Sequence, residues 1–356
     1  MNILITAPSL DIKKNVSGVA TVVNTIIEHN CLHKYFHYLL GRPDRPMGKL
    51  KWFYTLLEQL IIFPFFVKKN GIQLVHQNLP FNSKGLLRES IINFWCYLVR
   101  VPVLLHVHGG AFLMNPTENP FYRFIAKQLF KHSKVVVVLS GLENEAIAKH
   151  YNFRDSLILL NSIDSSLYSA IPKNRDYDKP VLLFMGRIHE SKGIDDIVAA
   201  FRILKQELNF RFVLCGDGPL RAYCVDECKQ LLGEDFEYRG VVSGNDKLKA
   251  IADSDFFLLP SRYGEGLPMA LLETMAAGVV PVVTNDASMA YIIEHEINGL
   301  MVNKYDAHDL YKKLKCIISD TMLYKGLSIN SAKTIKDKYD INEYIKNLNI
   351  IYKQVK

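Results

Sequence analysis

No apolar run in these 356 residues approaches the ~18 needed to cross a bilayer, which excludes a transmembrane helix. The opening residues Met1 to Pro8 have no basic segment and are soon followed by Asp11 and Lys13, so no signal peptide is expected. Cysteine is sparse and unpatterned. Cys31, Cys96, Cys215, Cys224, Cys228 and Cys316 form no repeated pair, and the Cys224/Cys228 spacing has no second Cys or His pair to complete a zinc site. All six read as reduced and structural. There is no internal repeat and no low-complexity tract. What remains, 49% hydrophobic and 22% charged residues, is the composition of a globular enzyme long enough for two domains.

The positive excess is confined to one half. Residues 1–172 hold 18 Lys+Arg against 10 Asp+Glu, a net of +8; the other residues hold 25 against 26, giving the total of +7. Eight of the eleven histidines also lie in the first half. Such asymmetry points to an anionic partner for that half, whether a membrane surface, a lipid diphosphate or nucleic acid, or else to a merely basic surface. Nucleic acid is disfavoured, because the cations are dispersed rather than gathered in a stripe with stacking aromatics. The stretch from Trp52 through Phe53, Tyr54, Ile61, Ile62 and Phe65 to Lys68-Lys69 suits either an interfacial helix or a core helix.

Short apolar runs alternate with helical stretches twice along the chain. The first series has strands at 3–6, 35–40, 72–76, 103–107 and 134–139, with helices from 18 and near 50–70, 84–100 and 120–132. The second has strands at 181–185, 210–215, 236–238, 255–259 and 280–283, with helices from 194, after Pro219 and from 268. Near-continuous apolar strands alternating with helices imply parallel sheets covered on both faces, hence an α/β chain of two doubly wound domains. The polar stretch bounded by Pro172 and Pro180 reads as the linker. The expected division is 1–172, 173–335, and a last helical segment, 336–356, returning to the first domain.

Chemistry gathers where strands give way to helices. Glu265 and Glu273 flank Pro268, which suits the first position of a helix that Gly278 and Pro281 stop. That helix is apolar nearly all round, so Glu273 must be buried or line a cleft, and needs a basic partner or a ligand's hydroxyls. Glu265 lies beside the helix's exposed N–H groups, where anionic and polar groups are favoured. A loop charge and a buried ion pair are the plain alternatives for the two. After the strand at 181–185, Gly186 permits a tight turn, and Arg187 and Lys192 stand where they could clamp a diphosphate. Cys215-Gly216-Asp217-Gly218-Pro219 is a second glycine turn. In the first half, Ser17-Gly18 opens a helix whose N–H groups could meet an anion, or Ser17 simply caps it. His106 and His108 fall on one side of their strand, and His108 stands next to Gly109-Gly110 at its carboxyl end.

Taken in order, Gly186-Arg187, Lys192-Gly193, Gly216-Asp217-Gly218-Pro219, Ser261 through Pro268, Glu273 and Ala276-Ala277-Gly278 resemble the family 4 retaining glycosyltransferases. Gly18, His108 and Asn161-Ser162-Ile163-Asp164 match more loosely. Ser17 and Ser162 stand where the family commonly has glycine. The resemblance implies the GT-B fold, two Rossmann-like domains facing a central cleft and closing over the donor, and metal-independent transfer of a hexose-type sugar with retention. It implies no resident cofactor; the donor is a nucleotide sugar, UDP- or GDP-linked, and the acceptor a glycan or polyprenyl-linked glycan of surface polysaccharide synthesis. It further implies that Arg187 and Lys192 stabilise the leaving diphosphate, Glu273 holds the ribose, and Glu265 with the N–H groups of Gly266 and Leu267 orients the sugar. His108 would touch that sugar from the opposite domain, while Gly18 and Gly216 would line the donor site. No residue is an obvious nucleophile on the sugar's far face. The expected location is cytoplasmic, peripheral on the inner membrane face. A nucleotide-sugar epimerase of the same fold and a non-catalytic sugar-nucleotide sensor are the alternatives.

Overall fold

The computed structural model describes residues 1–11, 17–41, 48–169, 178–263, 265, 267–286 and 289–355. The linker residues up to 177, Gly266 and the Trp52 side chain lie outside that description. The chain forms two compact units, one of residues 1–161 with 341–356 and one of 162–340.

In the first unit, strands β1 (Asn2–Ala7), β2 (Lys34–Leu39), β3 (Leu74–Leu79), β4 (Val103–Val107), β5 (Val135–Val138) and β6 (Ser156–Ile158) form one sheet in the order β2-β1-β3-β4-β5-β6. Every neighbouring pair is parallel. The connecting helices are α1 (Gly18–His29), α2 (Lys49–Lys69), α3 (Ser83–Val99), the short α4 (Ala111–Met114), α5 (Pro120–His132) and α6 (Gly141–Tyr151). β3 and β4 are buried along their whole length, which a parallel sheet sandwiched by helices requires. Because the crossover after β1 runs one way and those after β2, β3 and β4 run the other, right-handed connections put α1 on one face and α2, α3 and α5 on the opposite face.

The second unit repeats the scheme. Its helices are α7 (Ser166–Ser169), α8 (Ile194–Leu204), α9 (Arg221–Leu232), α10 (Gly244–Ala252), α11 (Met269–Ala276), α12 (Met289–Ile292), α13 (Ala307–Ser319) and α14 (Thr321–Lys338). The strands are β7 (Val181–Met185), β8 (Arg211–Cys215), β9 (Phe236–Gly240), β10 (Phe256–Leu259), β11 (Val280–Thr284) and β12 (Leu300–Val302), again parallel, in the order β12-β11-β10-β7-β8-β9. The last helix, α15 (Ile341–Val355), belongs to the first unit and packs beside α1.

The units divide at 161/162 and 340/341 rather than at the expected 172/173 and 335/336. Backbone pairing explains the earlier break: Ile163 N–H donates to the Tyr339 carbonyl at 3.1 Å, tying the segment from 162 to the end of α14. Pro268, expected as the first helical residue of α11, is its cap, with ψ at 123° outside the helical range. Of α11's residues only Ala270 is not fully buried.

Candidate functional site

In the second sheet the order reverses between β7 and β10, and in doubly wound folds ligands bind beyond the carboxyl ends of strands at such a switch point. Two loops leave the sheet there, residues 186–193 after β7 and, after β10, a loop that includes residues 260–263 and 265. The first is zipped to the loop after β8: Gly186 N–H donates to the Cys215 carbonyl and Ile188 N–H to that of Asp217, each at 3.0 Å. A Cβ at Gly216, whose φ is +136°, would lie 1.8 Å from the Gly186 carbonyl oxygen. The glycine is therefore required by backbone approach, whatever else it contacts. Gly216→Ala is expected to destabilise the second unit by roughly 1–3 kcal/mol, the cost of overpacking a rigid backbone contact; an unchanged chemical-denaturation midpoint would show that the loops can part freely.

Lys192 ends a short 3-10 turn, Glu190–Lys192, capped by His189, whose Nδ1 accepts the Ser191 N–H at 3.1 Å. Its ammonium donates to Glu265 Oε1 at 2.5 Å, and the Ser261 hydroxyl donates to the same oxygen at 2.5 Å. Both side chains are largely withdrawn from water. The two residues read separately in the sequence are thus one pair. Arg262 staples the loops: its backbone N–H donates to the Ser191 carbonyl, and its guanidinium forks onto Asp196 at 2.9 and 3.0 Å. The hydrogen bonds to Asp196 push the Arg262 pKa above its ordinary value. Asp286 accepts the Glu265 N–H at 3.4 Å and pairs with Lys304. Arg187 is exposed and has no side-chain hydrogen bond or ion pair among the described residues.

Glu273 is buried on α11 and has a basic partner, Lys247 of α10, whose ammonium lies 2.7 Å from Oε1. The Tyr168 side chain of α7 lies beside Glu273. Burial first, and then that carboxylate, drive the tyrosine's pKa upward. The plain alternative for Glu273, a buried ion pair, is therefore present. It leaves room for the functional one, since a carboxylate has about four lone-pair directions. Leu267 turns its side chain into the core. Gly266 lies outside the described residues.

In the first unit, Gly18 opens α1 and Ser17 caps it, its hydroxyl accepting the Ala20 N–H at 3.4 Å. His108 follows β4. Its Nε2 is 2.6 Å from Asn78 Oδ1, and Asn78 gives its amide N–H to the Thr6 carbonyl at 2.7 Å. That network assigns the proton of His108 to Nε2 and leaves Nδ1 as an acceptor. The His108 and His106 rings lie 4.1 Å apart, as strand alternation requires. His106 Nδ1 meets His76 Nε2 at 3.2 Å, and His76 Nδ1 meets the Tyr352 hydroxyl of α15 at 2.8 Å. Burial pushes His76 and His108 down to about 3 and His106 well below its ordinary value. His108 keeps an open edge while the other two are sealed.

Lys247, Tyr168, Ser261, Arg262, Asp286 and Asn78 took no role in the sequence reading. Ser261 and Arg262 sit inside the motif around Glu265; the others carry no local signal, being brought in from distant elements. Among the described residues, no group of three or more His, Cys, Asp or Glu stands together as a metal site, and no helix is long and apolar enough to cross a membrane.

Two doubly wound units of this kind, with charged loops at the second unit's switch point, define the GT-B class of glycosyltransferase folds. The solved structure of Anabaena HepE in complex with UDP-glucose matches it at a TM-score of 0.78, with 16% identity and 99% of both chains covered, a likeness of fold. The family profile "Glycosyl transferases group 1" matches residues 169–334. The N,N'-diacetylbacillosaminyl-diphospho-undecaprenol alpha-1,3-N-acetylgalactosaminyltransferase of Campylobacter jejuni is 30% identical over 325 residues, 82% of this chain and 84% of that protein. An uncharacterised glycosyltransferase of Methanocaldococcus jannaschii is 29% identical over 177 residues, 49% of this chain and 45% of its own length. The chain belongs to the group 1 glycosyltransferases.

Proposed function

We propose that the protein is a retaining, metal-independent hexosyltransferase that moves sugar from a UDP- or GDP-linked donor to a glycan or polyprenyl-linked glycan acceptor in surface polysaccharide synthesis. The observation that carries this reading is the convergence of Lys192, Glu265 and Ser261 at the second sheet's switch point. A diphosphate gains negative charge as the sugar's C1–O bond breaks. Arg187 and Lys192 are the cations placed to stabilise it, a preorganised electrostatic contribution. Glu273 holds the ribose diol, and Glu265 with the backbone at Leu267 and Gly266 orients the sugar. Gly18 and Gly216 bring main chain to the donor, and His108, held neutral, offers the sugar a hydrogen bond. The Campylobacter relative acts on a diphospho-undecaprenol-linked sugar and HepE holds UDP-glucose; both favour the donor and acceptor classes named here.

A thermal-shift screen against UDP, GDP, ADP and their sugars identifies the nucleotide, because a ligand of the native state raises the melting temperature. For the nucleotide so found, Glu273→Ala is expected to raise Kd roughly tenfold or more, the loss of charge-assisted hydrogen bonds to the ribose; an unchanged Kd removes Glu273 from the site. Activity that survives chelator, and a product NMR spectrum with the donor's anomeric configuration, are the expected results for metal independence and retention. Release of free sugar without any acceptor would favour the epimerase instead.

A further inference from the structure

We infer that the outer face of α2, α3 and α5 is a docking surface for an anionic lipid bilayer. α2 buries Leu60, Phe63 and Val67 against the sheet, yet on its opposite side Leu50, Tyr54, Leu57, Ile61 and Phe65 form a second apolar stripe. Their spacing of three to four residues puts them on one line about 22 Å long. Four of them are more than half open: Leu50 is 76% exposed, Tyr54 68%, Ile61 60% and Phe65 70%. An ordinary surface helix turns a polar face to water. This one does not.

The neighbouring helices continue the pattern. α3 packs against α2, and α5 packs against α3. Ile91, Phe94 and Leu98 of α3 and Phe121 and Phe124 of α5 are exposed. All three helices cover the same face of the sheet, so their outer sides point the same way and the open side chains belong to one layer. Such a concentration of apolar groups marks an interaction surface rather than scattered exposure.

Charge selects the occupant. Lys51, Lys68, Lys69, Lys127 and Lys131 are exposed on α2 and α5. Against them, Glu58 is the one exposed carboxylate among the described residues of the three helices, since Glu89 is sealed against Arg88. A second copy of this chain docked through the same face would set these lysines against one another. A bilayer with anionic headgroups attracts them and takes up the aromatic and aliphatic side chains between them. The inference deepens the reading of a lipid-linked acceptor, which such docking would bring within reach, but the binding can be measured without any acceptor.

The experiment is co-sedimentation of the full chain with vesicles of phosphatidylcholine, with and without phosphatidylglycerol, at low and high salt. Two double variants accompany it, I61D/F65D and K68E/K69E; all four positions are exposed, so neither is expected to unfold the chain, and the UDP-induced thermal shift serves as a control on the donor site. The expected result is partition to the phosphatidylglycerol vesicles that weakens with salt and falls at least about tenfold in each variant, with the thermal shift retained. Absence of binding, indifference to headgroup charge, or binding by both variants at the wild-type level overturns the inference. So does a wild-type dimer that I61D/F65D converts to monomer, which would assign the face to a second copy. Vesicle binding together with transfer only to water-soluble glycans would leave the face standing and remove the lipid-linked acceptor.

Discussion

Lys192→Ala is expected to lower the rate of sugar transfer by about 10²–10³ while leaving the fold intact. The magnitude is that of removing one preorganised charge or donor from a developing anion in a water-poor site. The Lys192 ammonium is part of a built arrangement, held by Glu265 at 2.5 Å on a turn that Arg262 and His189 fix in place. The loss should therefore appear in kcat and kcat/KM together, since an interaction made chiefly in the transition state is removed. Steady-state rates with the identified donor, with a thermal melt as a control on folding, test it. A rate within threefold of wild type would sink the assignment of Lys192 to the leaving group.

The second large effect concerns acid. His76 and His106 are sealed and held neutral by burial, with His76 down to about 3. A histidine whose folded pKa lies below its unfolded value near 6.5 leaves the unfolded chain binding more protons as pH falls. Stability is thus whole above pH 6.5 and is lost progressively toward pH 3. At pH 5 the loss is about 2 kcal/mol for each such histidine, from roughly 1.5 pH units below the unfolded pKa. His108, with its open edge, should contribute less. Urea denaturation at a series of pH values is expected to show this slope, and His106→Gln, which gains no proton, to flatten it. Parallel profiles for the two proteins would mean that the ladder does not govern acid sensitivity. His106 has a further cost of its own. Its Nε2 is buried without a partner among the described residues, so at neutral pH replacing His106 by Gln is expected to cost little.

Much of this molecule was legible because its signals are local. β-branched and apolar runs gave β4 and β7 at their full observed bounds, and α5 likewise, as hydrophobic periodicity carries element type. The all-round apolar character of α11 foretold the burial of Glu273, and the glycine turns after β7 and β8 fell at the ends of strands. The elements that went unread have weaker marks. β6 and β12 are three residues each, too short for a period to register, and α13 and α14, although each starts at an aspartate cap, Asp306 and Asp320, have little apolar surplus to mark them. The unit boundary was misplaced because it depends on Ile163 pairing with the end of α14, a contact between residues far apart in the chain.

The sequence by itself determined the class of fold, the two-unit organisation and the family, because each rests on ordered local patterns. It also supplied Lys192, Glu265, Glu273 and His108 as candidates. Only the tertiary structure decided their partners. Lys247 reaches Glu273 from another helix, Asn78 sets the tautomer of His108 from the adjacent strand, and Lys192 and Glu265 share one contact across 73 residues. The apolar stripe of α2 also needed the structure, since sequence gives the period of a helix but not which side the sheet covers. Burial and pairing are properties of the packed chain, and no window of sequence contains them.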